Sequence, residues 1–364
     1  MSPLLSPLPR AFMGLGLVLA FVVLMRIGAP VIVPVVEAVL VCFVLNAAAA
    51  ALRRVPGIGP RLPRPLALVG AALIALAASL WVVEATVRTV AVIGTQAAGY
   101  ETALGPLLDR AGAIAGISGP ELSERLVGGL GVDALMRQLV AATAATINHF
   151  GIVAIYAAFL LVDQRFFDGK LRALQPDPVR RAETRRLVDR VTESVEAYLL
   201  IMTFVSALTS LLCYAVMGLM GVRYAVFLAT MIFFLNYIPT IGSILGTVVP
   251  AGFALLQFQA FGPALVVLAG IGLVQFVMGN ILLPRMFGTR LNISLGVTIF
   301  ALFFWGALWG ITGMFVAMPL TAIVVIAFSH FDATRPLAIL MSRTGKLDPA
   351  AGIPDPGTSG PGAL

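Results

Sequence analysis

The chain has 364 residues, 60% of them hydrophobic and only 11% charged, with a mean hydropathy of +1.01. Soluble domains run at about 45–50% apolar and about 25% charged residues, so a soluble globular enzyme, a disordered chain and a disulfide-stapled secreted domain are excluded. The formal charge of +7 rests on 22 arginines and two lysines; membrane proteins hold such an excess in cytoplasmic loops, and no nucleic-acid partner is expected. Long unbroken apolar runs lack the alternation of a membrane β-barrel. At about 20 apolar residues per crossing, the expected fold is an all-α polytopic membrane protein with about eight transmembrane helices, including broken or re-entrant hairpins.

Residues 1–83 read as an N-terminal three-helix membrane segment. Ala11–Ile27 has no A-x-A cleavage pattern after it and is expected to stay as a first helix; Pro30–Leu52 is the second. The loop that follows holds Arg53, Arg54, Arg61 and Arg64 and no acid, which marks it as cytoplasmic and sets the N-terminus on the same side. The third helix runs from Pro65 to Val83, with Trp81 near its outer end. Residues 84–145 carry six acids against four arginines and only short helical apolar spacings, such as Leu122, Leu126 and Leu130; they are expected to form an extracytoplasmic amphipathic insert. Residues 146–163 hold the fourth crossing.

Residues 164–197 form a second polar segment, with eight basic and six acidic residues. Pro176–Asp177–Pro178 reads as a turn, and Pro178 suits the first turn of the helix that follows. From Arg180 onward, Glu183 with Arg186, Arg185 with Asp189 and Arg190 with Glu193 fall at helix-pair spacing. A cytoplasmic amphipathic helix leading into the fifth span is expected. Residues 198–330 read as a transport core with two broken hairpins. Across Ala197–Ser329, 133 residues, only Arg223, Arg285 and Arg290 are charged. Gly262–Leu283 is a clear span. Tyr224–Phe258 is interrupted at Asn236–Gly242, and Ile293–Phe328 at Trp305–Gly313; each is a tight span pair or a re-entrant hairpin. Residues 331–364 are expected to be a cytoplasmic disordered tail, its part from Lys346 being the richest in Pro, Gly, Ser and Ala.

No Walker A loop, H-E-x-x-H, G-x-S-x-G or paired cysteine motif occurs. Neither ATP hydrolysis, a metal, a cofactor nor enzymatic catalysis is expected. Cys42 and Cys213 lie in apolar runs and behave as small hydrophobes. His149 and His330 read as interfacial residues. Broken backbone at membrane depth occurs where it lines a cavity or packs within protein, and discontinuous helices build the sites of many secondary transporters. Two such breaks stand out: Pro239, Gly242, Gly246 and Pro250, then Gly310, Gly313 and Pro319. The counted crossings send the first hairpin in from outside and the second from the cytoplasm, as an inverted repeat would. Uncharged polar residues gather there, namely Asn236, Thr240, Ser243, Gln275, Asn280 and Asn292. They suit either coordination of a polar solute or cation, or interhelical hydrogen bonds. Glu37 is the one carboxylate well inside a span and is a candidate for proton or ion coupling, or for pairing with Arg26 or Arg223.

The stretches Asn236–Pro250 (NYIPTIGSILGTVVP), Gly279–Gly288 (GNILLPRMFG) and Gly310–Leu320 (GITGMFVAMPL) together resemble the autoinducer-2 exporter family of permeases, and the resemblance covers nearly the whole chain. It carries over to Pro239, Gly242, Gly246, Pro284, Gly288, Gly310, Gly313 and Pro319 as substrate-path positions. Many members place His-Pro where this chain has Asn292-Ile293-Ser294. The resemblance implies a transporter of the bacterial inner membrane that assembles as a homo-oligomer, a pentamer being the order to test; the counted crossings set both termini in the cytoplasm. It implies export of a small polar metabolite such as autoinducer-2. Sodium/proton antiport is the alternative within the family, and an oligomeric passive channel the alternative outside coupled transport.

Overall fold

The computed structural model describes residues 7–56, 62–95, 149–287 and 292–345, together with positions 106 and 109. Most of the insert expected over 84–145, residues 288–291 and those from Lys346 onward lie outside the described residues. What is described is helical: α1 (Pro7–Ile27), α2 (Ala29–Leu52), α3 (Arg64–Thr95), α4 (149–163), α5 (Phe167–Leu174), α6 (Pro178–Leu219), α7 (Ala225–Leu235), α8 (Ile241–Phe258), α9 (Phe261–Val277), α10 (Leu283–Phe287), α11 (Leu295–His330) and α12 (Arg335–Met341). Seven helices among the described residues are long and apolar enough to cross a membrane. The protein is an all-α polytopic membrane protein.

The chain divides into two compact units, and α2, α4 and α6 each run unbroken from one into the other. The first unit comprises the described parts of Met1–Val41, Tyr156–Tyr198 and Gly288–Leu364. In it α1 packs on α11, and the Trp309 indole donates to the Met25 carbonyl at 3.0 Å. A 3-10 turn, Gln164–Phe166, joins α4 to α5. At the start of α6 the Asp177 carboxylate accepts the Val179 N–H at 2.9 Å, with Pro178 in the first helical position, where its missing N–H costs nothing. Arg185 pairs with Asp189 at 3.0 Å as its spacing predicts, and also with Asp168. The amphipathic segment and the span after it are one 42-residue helix.

Two boundaries differ from the sequence reading. Helix α3 does not stop near Val83 but continues to Thr95; Glu84 and Arg88, four residues apart, pair at 2.5 Å and suit a polar helical extension. Residues 331–345, expected as part of a disordered tail, carry α12. A short clasp ties it back, with Ser294 N–H donating to the Met341 carbonyl at 3.0 Å and Arg343 N–H to the Asn292 carbonyl at 3.2 Å. Buried Ala338 fixes one face of this helix. Partners about fifty residues away, not local composition, order the segment.

The second unit comprises the described parts of Cys42–Ile155 and Leu199–Phe287. Its core joins Cys213 and Met217 of α6 to Leu228, Ala229 and Ile232 of α7, Ala254 of α8, and Ala264, Val267 and Ile271 of α9. Gln257 fastens the loop before α7: its amide donates to the Gly221 carbonyl at 2.7 Å and accepts from Arg223 N–H at 2.6 Å.

Candidate solute site at the first hairpin and the turn after α9

Helix α7 has 11 residues and so rises about 16 Å, half of a hydrocarbon core of about 30 Å. Within the stretch 224–258, α7 alone is too short to cross, whereas α8, with 18 residues, is long enough. The tip between them, 236–240, is a backbone break. Thr240 has φ +62° and ψ −54°, and Ile241 N–H donates to the Pro239 carbonyl at 2.7 Å. This is the rarer, strained sense of γ-turn, held by a β-branched residue for which positive φ is an outlier. Glycine then makes the reversal possible. A Cβ on Gly242 would lie 1.8 Å from the Leu235 carbonyl oxygen, although seven residues of straight helix would separate such positions by about 10 Å. Buried Tyr237 anchors the tip to α6, its hydroxyl 2.7 Å from Thr203 Oγ1.

Polar side chains of the tip, of α8 and of the end of α9 lie beside this reversal. Gln275 of α9, only 8% exposed, donates from Nε2 to Asn236 Oδ1 at 3.4 Å. It passes Gly246 of α8, where an added Cβ would lie 2.9 Å from that nitrogen. Beside it opens a cleft of about 360 Å³, lined by Ser243, Ile244, Thr247, Val248, Gln275, Phe276 and Asn280. Ser243 Oγ donates to the Thr240 carbonyl at 2.9 Å, Thr247 Oγ1 to the Ser243 carbonyl at 2.7 Å, and Asn280 Nδ2 to the Phe276 carbonyl at 3.1 Å. With their protons directed at backbone, the hydroxyl oxygens and the Asn280 amide oxygen remain acceptors for the cleft. No lining residue is ionisable.

Asn280 sits in a π-helical turn, Met278–Leu282. Pro284 explains the turn. It has no N–H for the Asn280 carbonyl four residues earlier, and its ring crowds that carbonyl. The ladder slips one residue, so that Leu283 N–H donates to the Met278 carbonyl. Single π turns are frequent at functional sites. Pro250 of α8 has the same relation to Gly246.

Of the residues singled out in the sequence, the second unit brings together Asn236, Pro239, Thr240, Gly242, Gly246, Gln275, Asn280 and Pro284 around this hairpin and turn. Thr240 holds the tip, its hydroxyl donating to the Pro239 carbonyl at 2.6 Å. Asn292, Gly310, Gly313, Pro319 and Glu37 belong to the first unit. There Asn292 serves the α12 clasp, its Oδ1 accepting from Thr344 Oγ1 at 3.3 Å. Gly310 breaks α11 with φ +65° and ψ −144°, a mirror-image extended conformation open to glycine. Gly313 then lies so close to the Trp305 carbonyl oxygen that a Cβ would be 1.9 Å away. The chain therefore reverses sharply between Trp305 and Gly313. Pro319 is buried in α11 beyond the break. Glu37 is half-buried in α2, three residues after Pro34. Gly288 lies outside the described residues. Sequence reasoning missed Thr247 and the apolar walls Ile244, Val248 and Phe276; the i, i+4 spacing of Ser243 and Thr247 was the available signal.

The model of the AI-2E family transporter matches residues 15–333. The chain is 31% identical to the AI-2 transport protein TqsA of Escherichia coli (strain K12) over 91% of its own length and 95% of that protein's. It is 33% identical to the E. coli (strain K12) "Putative transport protein YhhT" over 57% of each chain. It is 32% identical to a "Putative transport protein" of Haemophilus influenzae over 54% of its length and 57% of the relative's. A polytopic helical fold, two glycine-reversed hairpins and a match over most of the chain agree: this protein is a membrane transporter and belongs to the AI-2E family.

Proposed function

We propose that the chain exports a small, uncharged polar solute across the bacterial inner membrane through the cleft between α8 and the end of α9. The carrying observation is the lining: two hydroxyls and two amides between apolar walls, with no ionisable side chain. Such a surface exchanges a solute's water shell for neutral hydrogen bonds and leaves no buried charge to compensate. A hydroxylated metabolite of the autoinducer-2 kind fits that chemistry, and TqsA, similar over nearly the whole chain, is named for AI-2 transport. Assembly as a homo-oligomer, with both termini cytoplasmic, belongs to the same proposal. Coupling to the proton gradient is assigned to Glu37, a carboxylate within a 24-residue apolar helix, where ionisable groups mark ion paths.

Reconstituted vesicles test this. Labelled autoinducer-2 should cross faster than in empty vesicles, respond to an imposed pH gradient, and slow at least tenfold in Gln275→Leu. Glu37→Gln should retain downhill flux and lose the pH response. Flux in the parent that ignores both pH and sodium gradients would make the protein a passive channel. A sodium-driven proton signal with no solute movement would make it an antiporter.

A further inference from the structure

The segment joining α4 to α6 in the first unit is built unlike a solvated connector. Residues 163–186 hold seven basic and four acidic residues. Three of those acids are taken internally: Asp163 by Lys170 at 2.6 Å, Asp177 by Arg180 at 3.8 Å, and Asp168 by Arg185. Arg165, Arg172, Arg181 and Arg186 have no carboxylate partner among the described residues. Apolar side chains stand out beside them. Arg165 lies 4.8 Å over the ring of Phe166, itself 52% exposed, while Leu174 is 79% exposed and Val179 65%. On α5, Phe167, Leu171 and Leu174 recur at i, i+4 and i+7 and share one face, with Lys170 and Arg172 on its two flanks. Leu171 is buried; Phe167 and Leu174 extend the stripe into the open. The helical run His149–Leu174, long and apolar enough to cross a membrane, carries these residues at its charged C-terminal end.

We propose that residues 164–181 are a docking surface for anionic phospholipids of the membrane that α4 crosses. Phe166 and Leu174 enter the acyl boundary, and the guanidinium groups of Arg165, Arg172 and Arg181 bind lipid phosphates. A short helix with an apolar stripe and basic flanks lies in the plane of the interface. Long basic side chains lay their stems on apolar surface and lift the charge to the headgroups. The unbalanced arginines complement an anionic layer.

The full chain, with Cys42 and Cys213 replaced by alanine and bimane at Ala173→Cys, is reconstituted into vesicles of phosphatidylcholine with phosphatidylglycerol. Trace doxyl-labelled phosphatidylglycerol or doxyl-labelled phosphatidylcholine serves as quencher. Phosphatidylglycerol is expected to quench at least about fivefold more efficiently at equal mole fraction, the enrichment one arginine near a charged surface supplies. Arg165→Gln/Arg172→Gln/Arg181→Gln should bring the two probes to parity while eluting as the parent does. Leu174→Ser should reduce quenching by both. Equal quenching by the two lipids in the parent overturns the proposal. So does quenching by aqueous iodide alone, which would place the segment in solvent or against a protein partner.

Discussion

At the residue scale, three positions at the first hairpin decide whether the chain can reverse and still leave room for a polar side chain. Gly246→Ala would set a methyl 2.9 Å from Gln275 Nε2 and 3.4 Å from Ile232 Cγ1. The amide, the end of a flexible side chain, moves; the expected result is near-parental thermal stability with solute flux reduced about tenfold or more, a loss of about 1.4 kcal/mol in transition-state stabilisation. Gly242→Ala meets backbone instead, at 1.8 Å from a carbonyl oxygen, and should destabilise by more than the roughly 1–3 kcal/mol of ordinary overpacking. Gly252→Ala, whose added Cβ meets nothing within 4 Å, is the control and should gain about 0.5–1 kcal/mol of helix stability. Thr240→Gly should raise the melting temperature by releasing strain of about 1–3 kcal/mol. Melting of the purified variants in detergent ranks all four.

At the element scale, the two hairpins use one backbone device twice. A residue with positive φ, Thr240 or Gly310, turns the chain, and a glycine two or three positions on receives a carbonyl from the first arm, Leu235 for Gly242 and Trp305 for Gly313. The break positions were legible, because glycine and proline within long apolar runs have few other uses. The arm lengths were not, because a residue just before or after a turn has the same composition. The π turn was also hidden, since Pro284 by itself predicts a kink and not the way the ladder repairs it. Pro284→Ala restores an N–H for the Asn280 carbonyl and should return the turn to α-helical register, swinging Asn280 away from Thr247. Flux should fall severalfold with little change in melting temperature, and loss of both together would assign Pro284 a purely structural role.

At the scale of the molecule, the chain's order does not follow its compact units, since three continuous helices pass between them. A reading in consecutive segments therefore describes the path of the chain and not its packing. Within the first unit, a side-chain hydrogen bond joins α1 to α11. Trp309→Phe removes the donor to the Met25 carbonyl, a hydrogen bond worth about 0.5–1.5 kcal/mol. Amide exchange across α1 should speed by about fivefold, while α7 and α8, which belong to the other unit, should keep their parental rates.

Composition alone determined that this is a helical membrane protein, because 11% charge across 364 residues leaves no way to cover a water-facing surface. Motif order alone identified the transporter family. Local spacing was enough for the pair Arg185–Asp189, one helical turn apart, although Glu183 and Arg186, at i, i+3, are not an ion pair. Only the tertiary structure decided which neutral polar residues act together. Gln275 meets Asn236 across 39 positions of sequence, whereas Asn292, equally polar and equally close to a helix end, is taken by a clasp to residues 343 and 344. An amide has the same composition in both settings. Which carbonyl, hydroxyl or open cleft it faces depends on packing between helices far apart in the chain, and helical periodicity carries no information about that.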